Sequence, residues 1–362
     1  MRPMGSTRTL QSERGFTLIE LMIAALITTV IMGVAFSTFD NALALNDSVL
    51  NLADSSQNLR AGTNLLVRDL MQAGRNLEIG GIPIPSGTGA SAIHRPSPPG
   101  KTYFFNNTTA TSISPIVTGA ALGPTVDGRT TDIVTIMMSD PSLDDLMVRK
   151  NGTLGTFPKW NADGLGFNVG SDAASITWLQ GDPTNEIPAV KVGDLMYFLG
   201  ANSTLQTVTK VDSTNVYFEP NDPFNFNQPL VSAGSIKPGL DLESSMTVRR
   251  VYMYSYWVAD EQGVPRLMRA LNMYPAIALA GAVEDLDLTY DLVDGVTNPV
   301  NIGELPYTAA NGDSFTASQI RKVNVHVGVR SETKSKKSND YLRNHVSTVV
   351  SLRNFAYVDK YK

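Results

Sequence analysis

The chain has 362 residues, with 29 Lys plus Arg against 34 Asp plus Glu, a net charge of −5 and no cysteine. This acidic balance argues against nucleic-acid binding, which draws on clustered Lys and Arg. The lack of thiols excludes disulfides, cysteine nucleophiles and thiolate metal sites, so a domain built from this chain must rest on its apolar core, which its length makes feasible.

A basic leader comes first, with Arg2, Arg8 and Arg14 against the single acid Glu13. Gly15-Phe16-Thr17-Leu18-Ile19-Glu20 follows, and residues 21–39 then run on without a charge. About 20 apolar residues suffice for a helix to cross the hydrocarbon core of a bilayer. Positive residues ahead of such a run keep the N-terminus in the cytoplasm and send the remainder across. Glu20 is out of place in that setting, because an ionised side chain at the centre of a membrane helix costs roughly 2.5–3.5 kcal/mol. Two features offset the cost. Glu20 lies in the first helical turn, where the macrodipole favours an anion. A cut after Gly15 would also create an amine at Phe16, about one helical turn away.

The helical pattern does not stop at the end of the apolar run. Leu45, Val49, Leu52, Ser56, Leu59, Thr63, Leu66, Leu70 and Ala73 recur by fours and threes, the spacing of one helical face. Asp40, Asp47, Asp54, Arg60, Arg68 and Asp69 fall off that stripe, and no proline occurs between Phe16 and Ile82. The pattern predicts one helix from about Phe16 to about Asn76, roughly 90 Å long at 1.5 Å per residue. It is apolar all round over 16–39 and amphipathic over 40–76. Gly74 loosens its end, and Gly80-Gly81-Ile82-Pro83 closes it.

Residues 77–362 read as one β-rich domain. Gly, Pro and Ser make 79–100 a loop. Strands are expected at 132–138, 194–199, 204–211, 215–219, 247–258, 264–270, 285–292, 320–330 and 346–352, with Asp212-Ser213-Thr214 and Asp260-Glu261-Gln262-Gly263 as turns. The irregular stretches 139–188 and 221–240 read as insertions, the first outside the central sheet. The expected fold is α+β: a long N-terminal helix laid on a mainly antiparallel sheet with long excursions.

No P-loop, no Gly-x-Ser-x-Gly and no His-Glu-x-x-His occurs in the chain, so no enzyme class is indicated. His326 and His345 are able to approach on neighbouring C-terminal strands, as surface or core residues. Asp140, Asp144 and Asp145 lie in a loop and are weak calcium candidates, since hard cations take several oxygens on flexible backbone. Their spacing is not that of an EF-hand. Glu284, Asp285, Asp287 and Asp291 form a second acidic group, with the three aspartates on one strand face and read as solvated. Tyr252, Tyr254 and Tyr256 share a strand face by period two and are expected to pack under the long insertion. Lys334, Lys336 and Lys337 read as a solvated turn.

The order Gly15-Phe16-Thr17-Leu18-Ile19-Glu20, between a basic leader and an apolar run, resembles the class III signal of type IV pilins and type II secretion pseudopilins. An ordinary signal anchor accounts for the apolar run but not for that order. The resemblance implies cleavage by a prepilin peptidase between Gly15 and Phe16 and methylation of the new amine. It makes residues 1–15 a leader whose loss takes the net charge to −7, and it assigns Phe16 and Glu20 to filament assembly. It implies a pilin-like fold, no cofactor, and some calcium binding among relatives. Its partners are other minor and major pilins, the prepilin peptidase and the inner membrane before assembly. The exported domain would lie in the periplasm and then on a cell-surface pilus. Many major pilins carry a proline in the membrane half; this chain has none, and Gly33 is the weak point there. Short pieces beyond the helix, among them Arg249-Arg250-Val251, Leu267-Met268-Arg269 and 346–354, are similar to PilW-type minor pilins of a priming or tip complex. A GspJ-like pseudopilin, a tip adhesin using the insertions, and a membrane-anchored exported enzyme stay open as alternatives.

Overall fold

The computed structural model describes residues 15–78, 80–150, 158–161, 165–200, 203–228, 245–335 and 339–354. The leader ahead of Gly15, parts of the 139–188 stretch, residues 229–240 and the pair Lys336 and Lys337 lie outside the described residues. Helix α1, Leu18–Gln72, has 55 residues, about 82 Å at 1.5 Å per residue. It starts at Thr17, whose side chain caps the first turn. It stops where Ala73 leaves the helical conformation and Gly74 turns to a φ of 72°, a left-handed geometry that glycine adopts without a Cβ penalty. The Gly74 N–H then donates to the Met137 carbonyl at 2.9 Å, which commits the chain to the sheet.

Among the described residues most strands fall into one large sheet of twelve strands and one small sheet of three, with four two-stranded ladders beside them. Those of the large sheet are β1 (Ile116–Val117), β2 (Val134–Ser139), β3 (Leu146–Arg149), β4 (Lys159–Trp160), β5 (Gly166–Asn168), β6 (Leu195–Leu199), β7 (Thr204–Thr207), β8 (Lys210–Val211), β9 (Asn215–Tyr217), β10 (Ser245–Glu261), β11 (Val264–Leu271) and β12 (Ile277–Ala280). A short helix α2, Ala173–Gln180, lies between β5 and β6. The small sheet has the order β13 (Val283–Leu292), β14 (Ile320–Arg330), β15 (Arg343–Ser351), all antiparallel. The fold is α+β, as the periodicities predict.

The 17-residue strand β10 is the spine of the large sheet. Its first half pairs with β6 and β3, its second half with β2 and β11. Val251 stands opposite both Leu195 of β6 and Ser139 of β2, so these two strands take opposite edges of β10. β3 therefore continues the edge that β2 leaves. This corrects the reading of 139–188 as lying outside the central sheet, because β3 extends the ladder and β4 and β5 follow from it. The reason is burial: Leu146 and Val148 alternate with exposed Met147 and Arg149, a period-two signal too short to stand out among glycines and aspartates. Trp160, Phe167 and Trp178 of the insertion then share an aromatic core with Phe198 of β6 and Phe218. Residues 221–228 are a loop, as expected, with Phe224 and Phe226 buried.

The largest core lies between α1 and the small sheet. Leu59, Leu66, Leu70 and Ala73 of the helix meet Leu286, Leu288 and Tyr290 of β13, Val323, Val325 and Val327 of β14 and Val350 of β15. The tyrosine face of β10 also belongs here: Tyr256 is in this core, and Tyr252 and Tyr254 pack against it. Those rings thus sit toward the helix rather than beneath the insertion.

Candidate functional site: a bare helix and its seat

At the N-terminus, Thr17 and Glu20 close a reciprocal cap. The Thr17 N–H and hydroxyl both donate to Glu20 Oε2 at 2.9 Å, and the Glu20 N–H donates to Thr17 Oγ1 at 3.3 Å. Such a box satisfies amides that the first turn leaves without partners. Glu20 therefore has a local partner of its own, besides the dipole and the amine considered from sequence. Gly15 and Phe16 precede the helix, and Phe16 is 84% exposed.

From residue 18 to residue 43 the helix is exposed on every side. Leu21, Leu26, Val30, Val34 and Phe36 are all exposed, and among the described residues this is the one helix long and apolar enough to cross a membrane. Three of its hydroxyls are satisfied internally. The hydroxyls of Thr28, Thr29 and Thr38 donate to the carbonyls of Ala24, Ala25 and Val34 at 2.7–2.8 Å. That arrangement lets hydroxyls enter a medium without water.

The seat starts at Ser55, later than the stripe read from sequence. Leu45, Val49 and Leu52 carry the right spacing but stay exposed. Ser55 Oγ donates to the carbonyls of Asn51 and Arg330, and Asn344 Nδ2 donates to Ser56 Oγ at 3.0 Å. Gly62 lets the helix close on β12 and β11: a Cβ there would stand 2.8 Å from the Ala280 Cβ and 3.2 Å from Leu267 Cδ2. Thr63, Leu66 and Leu70 continue the buried line. The end is held by Asp69, which the stripe placed outside. It is 2% exposed and accepts from Arg269 Nε at 2.9 Å, Arg269 Nη2 at 2.7 Å and Tyr256 Oη at 2.5 Å. The Arg269 guanidinium also lies 3.7 Å from the centroid of Tyr254, which stacks its charge on an aromatic face. An acid at the edge of an apolar stripe gives no sequence sign of such a partner, because Arg269 is 200 residues away.

The three calcium candidates meet separate partners, two of them arginines. Asp140 accepts from the Ser142 amide and hydroxyl at 2.8 and 2.7 Å, from Arg250 Nε at 2.7 Å and from Tyr252 Oη at 2.8 Å. Asp145 accepts from Arg249 Nε at 2.7 Å, and Arg249 also donates to the Asn76 carbonyl beyond the end of α1. The Asp144 carbonyl accepts from Trp178 Nε1 at 2.9 Å. Among the described residues, no three His, Asp or Glu side chains converge on a point that would hold a metal. His326 and His345 do meet, with ring centroids 5.5 Å apart. The second acidic group is not simply solvated: Asp285 is buried and paired with Arg129 at 2.9 Å, and Glu284 with Arg343 at 2.8 Å.

Residues 10–36 match the family model of the prokaryotic N-terminal methylation motif. The match supports a chain of the type IV pilin-like superfamily, with a signal for prepilin peptidase and a helix suited to anchoring in the inner membrane. No curated protein and no solved structure matches the chain.

Proposed function

We propose, with the N-terminal methylation motif as the premise, that the chain is a minor pilin: a structural subunit of the priming or tip complex of a type IV pilus. The prepilin peptidase cuts between Gly15 and Phe16, and the new amine is methylated. The apolar half of α1 holds the subunit in the inner membrane with its β-rich domain in the periplasm. Assembly moves that half from lipid into a bundle of other pilin helices, so its side chains stay out of water throughout.

The observation that carries this reading is the split character of α1. Residues 18–43 lie bare while 55–73 are locked into the domain. A soluble domain has no use for some 33 Å of exposed apolar helix over residues 18–39, at about 1.5 Å per residue. Glu20 fits the same role. Its carboxylate already accepts from Thr17, next to Phe16, and the methylated amine of a neighbouring subunit would complete its shell in an apolar bundle, where an unpaired charge is costly. Retention of this acid favours a position beneath another minor pilin rather than at the apex.

N-terminal analysis and intact mass of the membrane-extracted chain test the proposal. A chain beginning at methylated Phe16 is expected, and Gly15→Val is expected to retain the leader. A mature chain beginning at Met1, or cut beyond the apolar run, would end it. Glu20→Ala is expected to reduce incorporation into filaments while leaving cleavage and the fold of the domain unchanged.

A further inference from the structure

We propose that the outer edge of β15 is a strand-pairing site for an extended, uncharged segment of another subunit anchored in the same membrane. This deepens the reading of the chain as a filament subunit and rests on it. β15 pairs with β14 in unbroken register, from Arg343 opposite Arg330 to Ser351 opposite Lys322. Among the described residues no strand pairs with its other edge.

Two bonds fix which groups face that edge. The Ser331 N–H donates to the Leu342 carbonyl at 2.7 Å, and the Leu352 N–H to the Arg321 carbonyl at 3.0 Å. Even-numbered residues of β15 therefore bond to β14, and in an antiparallel ladder the alternate residues turn their N–H and C=O the other way. The outward set is Arg343, His345, Ser347, Val349 and Ser351. The Asn344 carboxamide takes the His345 N–H at 2.9 Å. Ser347, Val349 and Ser351 present theirs side by side.

Proteins blunt an exposed edge with lysine, proline, a bulge, an inward charge or simple shortness. β15 uses none of these. It has nine residues, and between Asn344 and Ser351 there is no proline, lysine or acid. The charge at its start, Arg343, is engaged by Glu284 and Asp340. The opposite margin of the same sheet is closed. Along β13, the Asp132 N–H donates to the Leu286 carbonyl at 2.8 Å, Tyr290 and Ile302 exchange bonds at 2.8 and 2.9 Å, and the Leu292 N–H donates to the Pro299 carbonyl at 2.7 Å. The fold caps one margin with its own loops and leaves the other as a template.

The direction of α1 selects the occupant. Asn344 reaches Ser56 and Asn354 reaches Ala73, so helix and β15 run side by side in the same sense. Antiparallel pairing of β15 with a second copy would point the two apolar helices in opposite directions, which one membrane cannot hold. A different subunit carrying its own N-terminal helix has no such conflict. The uncharged edge asks for an uncharged strand, which added to a sheet edge binds chiefly through its main chain.

The test uses the full-length chain in detergent. The probes are the other full-length chains of the same cell that carry an N-terminal methylation motif, added one at a time. Amide exchange at Ser347, Val349 and Ser351 is followed. One probe is expected to slow exchange at these three amides at least tenfold. Val349→Pro removes an outward N–H without touching the β14 ladder, as edge positions allow. It is expected to abolish the effect at an unchanged melting temperature, whereas Val349→Thr keeps it. Should the proline variant fold poorly, Ser347→Cys gives the chain its single thiol, since it has no cysteine, and a disulfide to a cysteine on the partner's strand reports the pairing. Protection by no probe, protection by a second copy of the chain, or protection that appears only when the chain is ended at Asn354 would overturn the proposal. Incorporation into filaments that is indifferent to Val349→Pro sinks the pairing and leaves the subunit reading standing. A chain never cut after Gly15 sinks both.

Discussion

Asp140 is pulled in two directions. Burial pushes its carboxyl up, while the Ser142 hydroxyl and amide, the Arg250 guanidinium and the Tyr252 hydroxyl pull it down, and it settles below the ordinary carboxylate value. A carboxyl depressed in the folded state contributes stability that is complete above its unfolded value of about 3.9 and is lost as pH falls through the folded value. Asp140→Asn is therefore expected to be less stable at pH 7, with Arg250 left buried beside a neutral group, and to show a flatter further loss below about pH 4. Denaturant unfolding at pH 7 and pH 3 checks this; parallel losses in the two chains would contradict it. Asp69 makes the same point without titration. Asp69→Ala leaves Arg269 and Tyr256 facing a hole and should cost about 3–5 kcal/mol, as breaking a buried pair does. Double substitution with Arg269→Met is expected to recover part of that loss in thermal melts.

Along α1, one apolar stripe has two fates. Leu59→Ala and Leu66→Ala should each cost about 2–5 kcal/mol, because both side chains are buried in the core and leave a cavity. Leu45→Ala and Val49→Ala should leave the melting temperature of the isolated chain unchanged, since both are exposed. Equal effects at the two sets would mean the seat is wrongly placed. Gly62→Ala is expected to destabilise as well, its methyl falling 2.8 Å from the Ala280 Cβ. The helix was legible because its cues are local: a capping threonine, a clean period and no proline. Where the stripe stops being buried was not legible, because that depends on where β14 and β15 end, some 270 residues later. Gly62 and Asp69 were missed for the same reason. The long strands β10, β11, β13 and β14 announced themselves by alternation, whereas β3, β4 and β5 are too short for any period to register.

At the scale of the whole molecule, the bare segment and the domain should separate cleanly. A chain beginning at Asn41 is expected to be soluble without detergent and to melt cooperatively, at the temperature of the full-length chain in micelles. Aggregation of that shortened chain would show that residues 16–40 support the fold itself. The class III signal order pointed to the membrane role directly from sequence, since it is contiguous. The insertion did not declare its structure, because its core draws Trp160, Phe167, Trp178, Phe198 and Phe218 together from five separate segments. No local pattern foretells such a gathering.

The side-by-side run of α1 and β15 has a mechanical meaning. A pull applied to the helix along its axis reaches the domain through this seat. The fastenings lie in a row parallel to that pull, from Asn344 on Ser56 through Arg269 on Asp69 to Asn354 on Ala73. Tension therefore loads them together, in shear, instead of peeling them one after another. A fastening in shear yields only when the whole row slips, so the domain should resist larger forces along the helix axis than across it.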